Sequence, residues 1–403
     1  MMTPMRYILL VLGVIISIHY IMSFTYEEYG KATYISNIAE QWTGLKSNPL
    51  YKTPAPDEYC QPDSSMHLQD RRANASIVVL VRNSELWGIM SSMKQLEDRF
   101  NRKFQYPYVF LNDKPFTQSF KHHIWALTNA TVEFGLIPSD HWHQPSWIDE
   151  ERASKSRDDM IKNDVIYGGS VSYRNMCRFN SGFFYRHELL QKYRYYWRVE
   201  PDIQLFCDVD YDPFLMMQDQ NKVYGFTITL YEFPTTIPTL WDAVRSFIDA
   251  NPDSVAPDNA MEFLSDDGGK SYSLCHCRLL HTATFSCVNE NTWPVWSNFE
   301  IADLDFWRGE AYSKFFDYLD EQGGFYYERW GDAPVHSIGA ALFAKKEQIH
   351  FFNDIGYRHD HFEHCPQGDV HTKGKCWCDP DKSLVSSDYQ VYSCLYQYDK
   401  LLL

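Results

Sequence analysis

The chain has 403 residues, 44% of them hydrophobic and 16% aromatic, enough to bury a large core in one or two domains. A formal net charge of −16 argues against nucleic acid as a partner. Ten cysteines point away from a reducing cytosol and toward an oxidising lumen, where disulfides persist.

Residues 7–24 form an uncharged, mostly apolar run with Arg6 before it and Glu27-Glu28 after it. Eighteen residues are just long enough to span a bilayer as a helix, and Arg6 keeps residues 1–6 cytoplasmic. A cleaved signal peptide is the rival, but Ser23-Phe24-Thr25-Tyr26 is too bulky for its cleavage site. Residues 25–72 are polar, contain Pro54, Pro56 and Pro62, and read as a stem. The globular part is placed at 73–403. Ser76 to Val81 reads as a strand, and Arg82-Asn83-Ser84-Glu85 as a turn with cap-type residues. Leu86, Ile89, Met90, Met93 and Phe100 follow at helical spacing. Tyr106–Leu111 and Thr131–Ile137 read as strands around a helix at Phe116–Leu127. That order predicts a parallel, doubly wound sheet.

Residues 140–173 are irregular and charged, and Phe183–Arg194 reads as helix. Tyr195 to Val199 is an aromatic, β-branched strand that ends in acids: Glu200, Asp202, Asp208, Asp210 and Asp212. Carboxylates at the carboxyl end of a central strand sit where open α/β sheets bind ligands. Mg²⁺ or Mn²⁺ takes one or two carboxylates plus phosphate oxygens, so the stretch suggests a metal–diphosphate site. The bland alternative is a solvated acidic turn. Val223–Leu230 is a further strand. Leu240, Trp241, Val244, Phe247 and Ile248 mark a helix that Pro252 stops, and Tyr312, Phe315, Phe316 and Leu319 mark another that ends at Gly323-Gly324.

Four stretches carry a resemblance: Tyr173 to Phe184 (YRNMCRFNSGFF), Tyr196 to Asp202 (YWRVEPD), Trp296 to Ile301 (WSNFEI) and Trp330 to Ser337 (WGDAPVHS). Together they resemble the fungal α-1,2-mannosyltransferases of glycosyltransferase family 15, the KTR family, from about Ala75 to Cys365. The resemblance implies a GT-A fold with a mixed, mainly parallel sheet, GDP-mannose as donor, Mn²⁺ as cofactor and retention of the α-anomer. It also implies mannose-terminated glycans as acceptors and a type II anchor in the Golgi membrane through residues 7–24, with the catalytic part luminal. By the same resemblance Glu200, with Asp202 in the Glu-Pro-Asp motif, and His359 belong to the metal and nucleotide. Glu300 is the acid on the β-face of the donor sugar, as nucleophile or as a stabiliser of oxocarbenium-like charge. Tyr173 and Asp332 align with active-site residues. Arg82 and Arg198 are diphosphate contacts, since a guanidinium binds phosphate bidentately. For Tyr173 and Asp332 the plain readings are a core tyrosine and a helix start.

Asp208-Val209-Asp210 spells Asp-x-Asp but lies beyond the family's metal position, and reads as a structural or acceptor-side turn. His359, His361, His364, Cys365, His371, Cys376 and Cys378 fit no standard zinc spacing, and disulfides are the expectation for the cysteines. Asn74 and Asn129 head glycosylation sequons. One departure is large: nineteen residues, Cys277 to Val295, stand where the family has one. They are either a looped-out insertion or a retained intron; Leu279, Leu280, Phe285 and Trp293, which a loop would expose unless they pack on the domain, favour the intron. The insertion also motivates the rival reading, a membrane-anchored mannan-binding or scaffolding homologue without turnover.

Overall fold

The structure, a computed structural model, describes residues 71–230, 232–272, 297–384 and 393–401. The anchor and stem at 7–24 and 25–70, and the stretch Cys277–Val295, lie outside the described residues.

Buried apolar runs build a seven-stranded sheet. Its strands are β1 (Ala75–Leu80), β2 (Tyr108–Asn112), β3 (Val132–Leu136), β4 (Tyr195–Arg198), β6 (Tyr224–Phe226), β7 (Glu300–Asp303) and β8 (Ile349–Phe351), in spatial order β3-β2-β1-β4-β7-β6-β8. β5 (Gln204–Leu205) instead joins β9 (Tyr357–His359) and β10 (Phe362–His364) in a small antiparallel sheet. The helices that frame the site are α1 (Leu86–Leu96), α2 (Gln118–Trp125), α3 (Glu150–Lys162), α4 (Val171–Gly182), α5 (Pro213–Asp219), α6 (Leu240–Ala250), α7 (Glu310–Gln322) and α8 (Asp332–Phe343).

The parallel expectation holds for β1, β2, β3 and β4 and for β6 with β8. It fails at the centre, where β7 lies antiparallel to both β4 and β6. The sheet is therefore mixed and mainly parallel. The expected helix at Phe183–Arg194 is also corrected. Two single 3₁₀ turns occupy it, Phe184–Arg186 and Glu188–Leu190, and the helix lies upstream as α4. Ser170 caps α4 by accepting from Tyr173 N at 3.1 Å. Gly182 ends it where a Cβ would stand 2.0 Å from the Phe316 ring.

Strand alternation sets the two faces. Ile77, Val79, Tyr195, Trp197 and Ile301 enter one core with Ile89, Met93 and Leu96 of α1. Tyr196, Arg198 and Glu300 point the other way, toward Phe179 and Asn180 of α4 and His336 of α8.

Candidate active site

Arg198 ends β4 directly opposite Glu300, the first residue of β7. Its Nη1 donates to Asp332 Oδ2 at 2.6 Å, and its Nε and Nη2 both reach Glu200 Oε1. Burial alone would weaken the guanidinium as a cation, but Glu200, Asp332 and Glu300 around it raise its pKa well above the ordinary value. Asp332 is the mirror case. Burial opposes its ionisation; Arg198, then the Ser297 hydroxyl at 2.8 Å among its other partners, outweigh that and hold its pKa below the usual carboxylate range.

Glu200 turns its second oxygen away from Arg198. Oε2 lies 3.9 Å from His359 Nε2, and both side chains retain about a quarter of their exposure, 22% and 26%. A carboxylate oxygen and an imidazole nitrogen at that separation can share one cation, since ligand bonds run about 2.0–2.2 Å. The other ring nitrogen of His359 meets Asn298 Nδ2 at 2.6 Å, while Asn298 Oδ1 is buried without a partner. Turning that carboxamide half-way round satisfies Oδ1 with an Nδ1–H and leaves the Nε2 lone pair facing Glu200. The residues present therefore fit a divalent ion such as Mn²⁺, with Asn298 setting the tautomer.

Glu300 has a different setting. It is fully buried, and Tyr196 OH at 2.7 Å, Tyr224 OH at 3.1 Å and His336 Nδ1 at 2.7 Å all address its carboxylate. Burial and then the Glu300 charge push both phenols well above their ordinary pKa, so they act as donors. Trp307 donates to Tyr196 OH at 3.1 Å and stacks on His336 at 4.4 Å.

A sequence family described as glycolipid 2-alpha-mannosyltransferase matches residues 28–401. Glycolipid 2-alpha-mannosyltransferase 2 of Candida albicans is 51% identical over 82% of this chain and 68% of its own length. Alpha-1,2 mannosyltransferase KTR1 of Saccharomyces cerevisiae is 50% identical over 82% of this chain and 80% of its own. Among solved structures, core-mannan synthase A of Aspergillus fumigatus in its Mn/GDP form is 43% identical with a TM-score of 0.73, covering 83% of this chain and 87% of that one. The Saccharomyces cerevisiae mannosyltransferase Ktr4p in complex with GDP is 41% identical with a TM-score of 0.74, covering 82% of each chain. The chain belongs to glycosyltransferase family 15.

Seen as a family 15 enzyme, the chain brings together Arg198, Glu200, Asp332, Glu300 and His359 from β4, β7, β9 and α8. Tyr173, in the first turn of α4, stacks on Tyr167 at 4.6 Å, with the Arg329 guanidinium 5.2 Å from its ring. Arg82 is exposed and donates to Ser172 Oγ at 2.7 Å, which places it beside Tyr173. Asp202 is exposed in a left-handed conformation, φ 60°, over Gly88; a Cβ there would stand 2.6 Å from its carboxylate. Asp208 is tied to Arg99 at 2.5 Å and Lys375 at 3.2 Å, a structural role. Cys207 bonds Cys376 and Cys365 bonds Cys378, so the cysteines of the His/Cys cluster are consumed as disulfides. His336, Tyr196, Tyr224, Ser297 and Asn298 were not singled out from sequence. All five but Tyr224 lie inside the quoted motifs, which is the signal that could have found them.

Proposed function

We propose that this family 15 glycosyltransferase is an α-1,2-mannosyltransferase that moves mannose from GDP-mannose, with Mn²⁺, to the 2-hydroxyl of a terminal mannose on O- or N-linked glycans, with retention. The observation that carries the reading is the Glu200–His359 pair, opened toward solvent above the buried Arg198–Asp332 ion pair, in a chain half identical to proteins named for this activity. Mn²⁺, when bound, neutralises diphosphate charge. Glu200 and His359 would hold it, with Arg82 supplying a guanidinium for phosphate from the turn that follows β1. Arg198 spends three of its five N–H donors on Glu200 and Asp332, which leaves two for the diphosphate contact expected of it. Glu300, enclosed on every side, acts in this reading by stabilising oxocarbenium-like positive charge rather than by forming a covalent bond.

The type II Golgi anchor at 7–24, the stem at 25–72 and the GT-A catalytic part at 73–403 belong to the same proposal. The non-catalytic reading is less favoured, since the relatives are named as transferases. The test is turnover of GDP-mannose on methyl α-mannoside by the purified full chain in detergent with Mn²⁺. Transfer giving an α-1,2 disaccharide supports the reading; glycan binding with neither transfer nor donor hydrolysis would return the scaffold alternative.

A further inference from the structure

Trp377 is held unusually firmly for an exposed tryptophan. Its two neighbours are both disulfide-bonded, Cys376 to Cys207 and Cys378 to Cys365. Its own N–H donates to Phe206 O at 3.2 Å, and its ring meets Phe206 edge-on at 4.8 Å. Yet 56% of the residue stays in solvent. An indole is costly to expose and these constraints keep it so.

Beside it runs a groove of about 400 Å³ lined by Trp377, Leu205, Gln95, Asp98, Arg99 and Gln204. That size lies within the roughly 300–1,000 Å³ of small-ligand sites. The polar groups are pre-ordered. Gln95 bridges the backbone of Ile203 and Leu205 at 3.1 and 3.0 Å, and Arg99 is fixed by Asp208. The Gln204 carboxamide makes no side-chain hydrogen bond among the described residues. A rigid apolar plate beside planar amide, carboxylate and guanidinium groups matches a sugar, which has one apolar face and a rim of hydroxyls.

The groove lies near the metal pair but opens on the other face of the small sheet, where Gln204 sits beside Arg358. Gln204 is the register partner of Arg358, the residue before His359. That pairing puts the Cα atoms of Gln204 and His359 within about 9 Å. We infer that this groove binds inner sugar units of the oligosaccharide acceptor, with Trp377 as the stacking plate. The inference rests on the transferase reading and adds a chain-length preference to it.

The test compares methyl α-mannoside with mannotetraose as acceptors for the full chain and its Trp377→Ala and Trp377→Tyr variants. Trp377→Ala is expected to raise KM for mannotetraose roughly fivefold or more, leaving KM for methyl α-mannoside and GDP-mannose unchanged. Trp377→Tyr should restore the wild-type value within about twofold, because a plate remains. An unchanged mannotetraose KM in Trp377→Ala overturns the proposal, as does an equal loss on both acceptors. Binding is measured separately by titrating mannotetraose without donor. If the wild-type chain binds mannotetraose through Trp377 but transfers no mannose, the groove stands and the transferase reading falls. Tryptophan quenching by GDP that is lost in Trp377→Ala, with none from mannotetraose, would assign the groove to a nucleotide and refute the sugar.

Discussion

Glu200 and Glu300 sit two strands' ends apart and share one arginine environment, yet they are built for opposite tasks. Glu200 keeps 22% of its side chain in solvent, spends one oxygen on Arg198 and aims the other at His359. Glu300 keeps about 1% and has its carboxylate surrounded by two phenols and an imidazole. In the proposed reading the first is a ligand, with an oxygen 3.9 Å from an imidazole nitrogen and both partly open to solvent. The second is a carboxyl held in one orientation by three partners behind the wall of the site. A carboxylate's role is thus written less by its strand than by what its second oxygen meets.

The comparison breaks most severely if Arg198 is removed. Arg198→Met would strand Asp332 and Glu200 without their cation, and unpairing a buried ion pair costs on the order of 3–5 kcal/mol. Urea denaturation of the full chain should show a loss of that size; a change below about 1 kcal/mol would mean that water already reaches the pair.

Next come the two acids themselves. Glu200→Ala and His359→Ala are expected to weaken GDP binding in the presence of Mn²⁺ by tenfold or more, roughly the effect of losing a charged ligand. Glu300→Gln should leave that affinity within about twofold and lower kcat by roughly a hundredfold. Calorimetry with GDP and Mn²⁺ reads the first, initial rates the second. Equal loss of GDP affinity in all three variants would erase the distinction.

Acid sharpens the same contrast. Asp332 has a depressed pKa in the folded state, so the stability it adds is present above its unfolded value of about 3.9 and disappears as pH falls through the folded value. In Asp332→Asn, thermal unfolding should therefore respond less to pH below about 4 than in the wild type. An identical acid limb in both would remove Asp332 from the buried network. The smallest effect is expected at Asn298. Asn298→Ala frees the His359 ring to change tautomer and should weaken Mn²⁺ about tenfold, the lower end for a residue that orients a metal ligand. Asn298→Asp, which keeps an acceptor for Nδ1–H, should recover most of it.

Legibility from sequence divides along the same line. The strands β1 and β2 announce themselves because both faces are covered, so each reads as a nearly unbroken apolar run. Glu200 was reachable through the Glu-Pro-Asp motif and His359 through the wider family resemblance. α4 was missed because its inner face is polar: Arg174, Asn175, Arg178 and Asn180 are all buried, which hides the apolar period that marks most helices. The segment Phe183–Arg194, read as a helix, forms only single turns. The antiparallel entry of β7 could not be read either, because register between strands a hundred residues apart leaves no local trace. Without it, nothing in the chain hints that Tyr196, Tyr224 and His336 converge on Glu300.

The bridge between Cys207 and Cys376 spans 169 residues of chain. During synthesis Cys207 is therefore made long before its partner, so the segment that follows the Glu-Pro-Asp motif must wait as a thiol until the C-terminal segment arrives. It can be trapped meanwhile by glutathione or by the wrong cysteine. Maturation of this enzyme is thereby tied to completion of its C-terminal segment. A chain interrupted before Cys376 would hold both Glu200 and His359 and still carry an unpaired, reactive sulfur at Cys207.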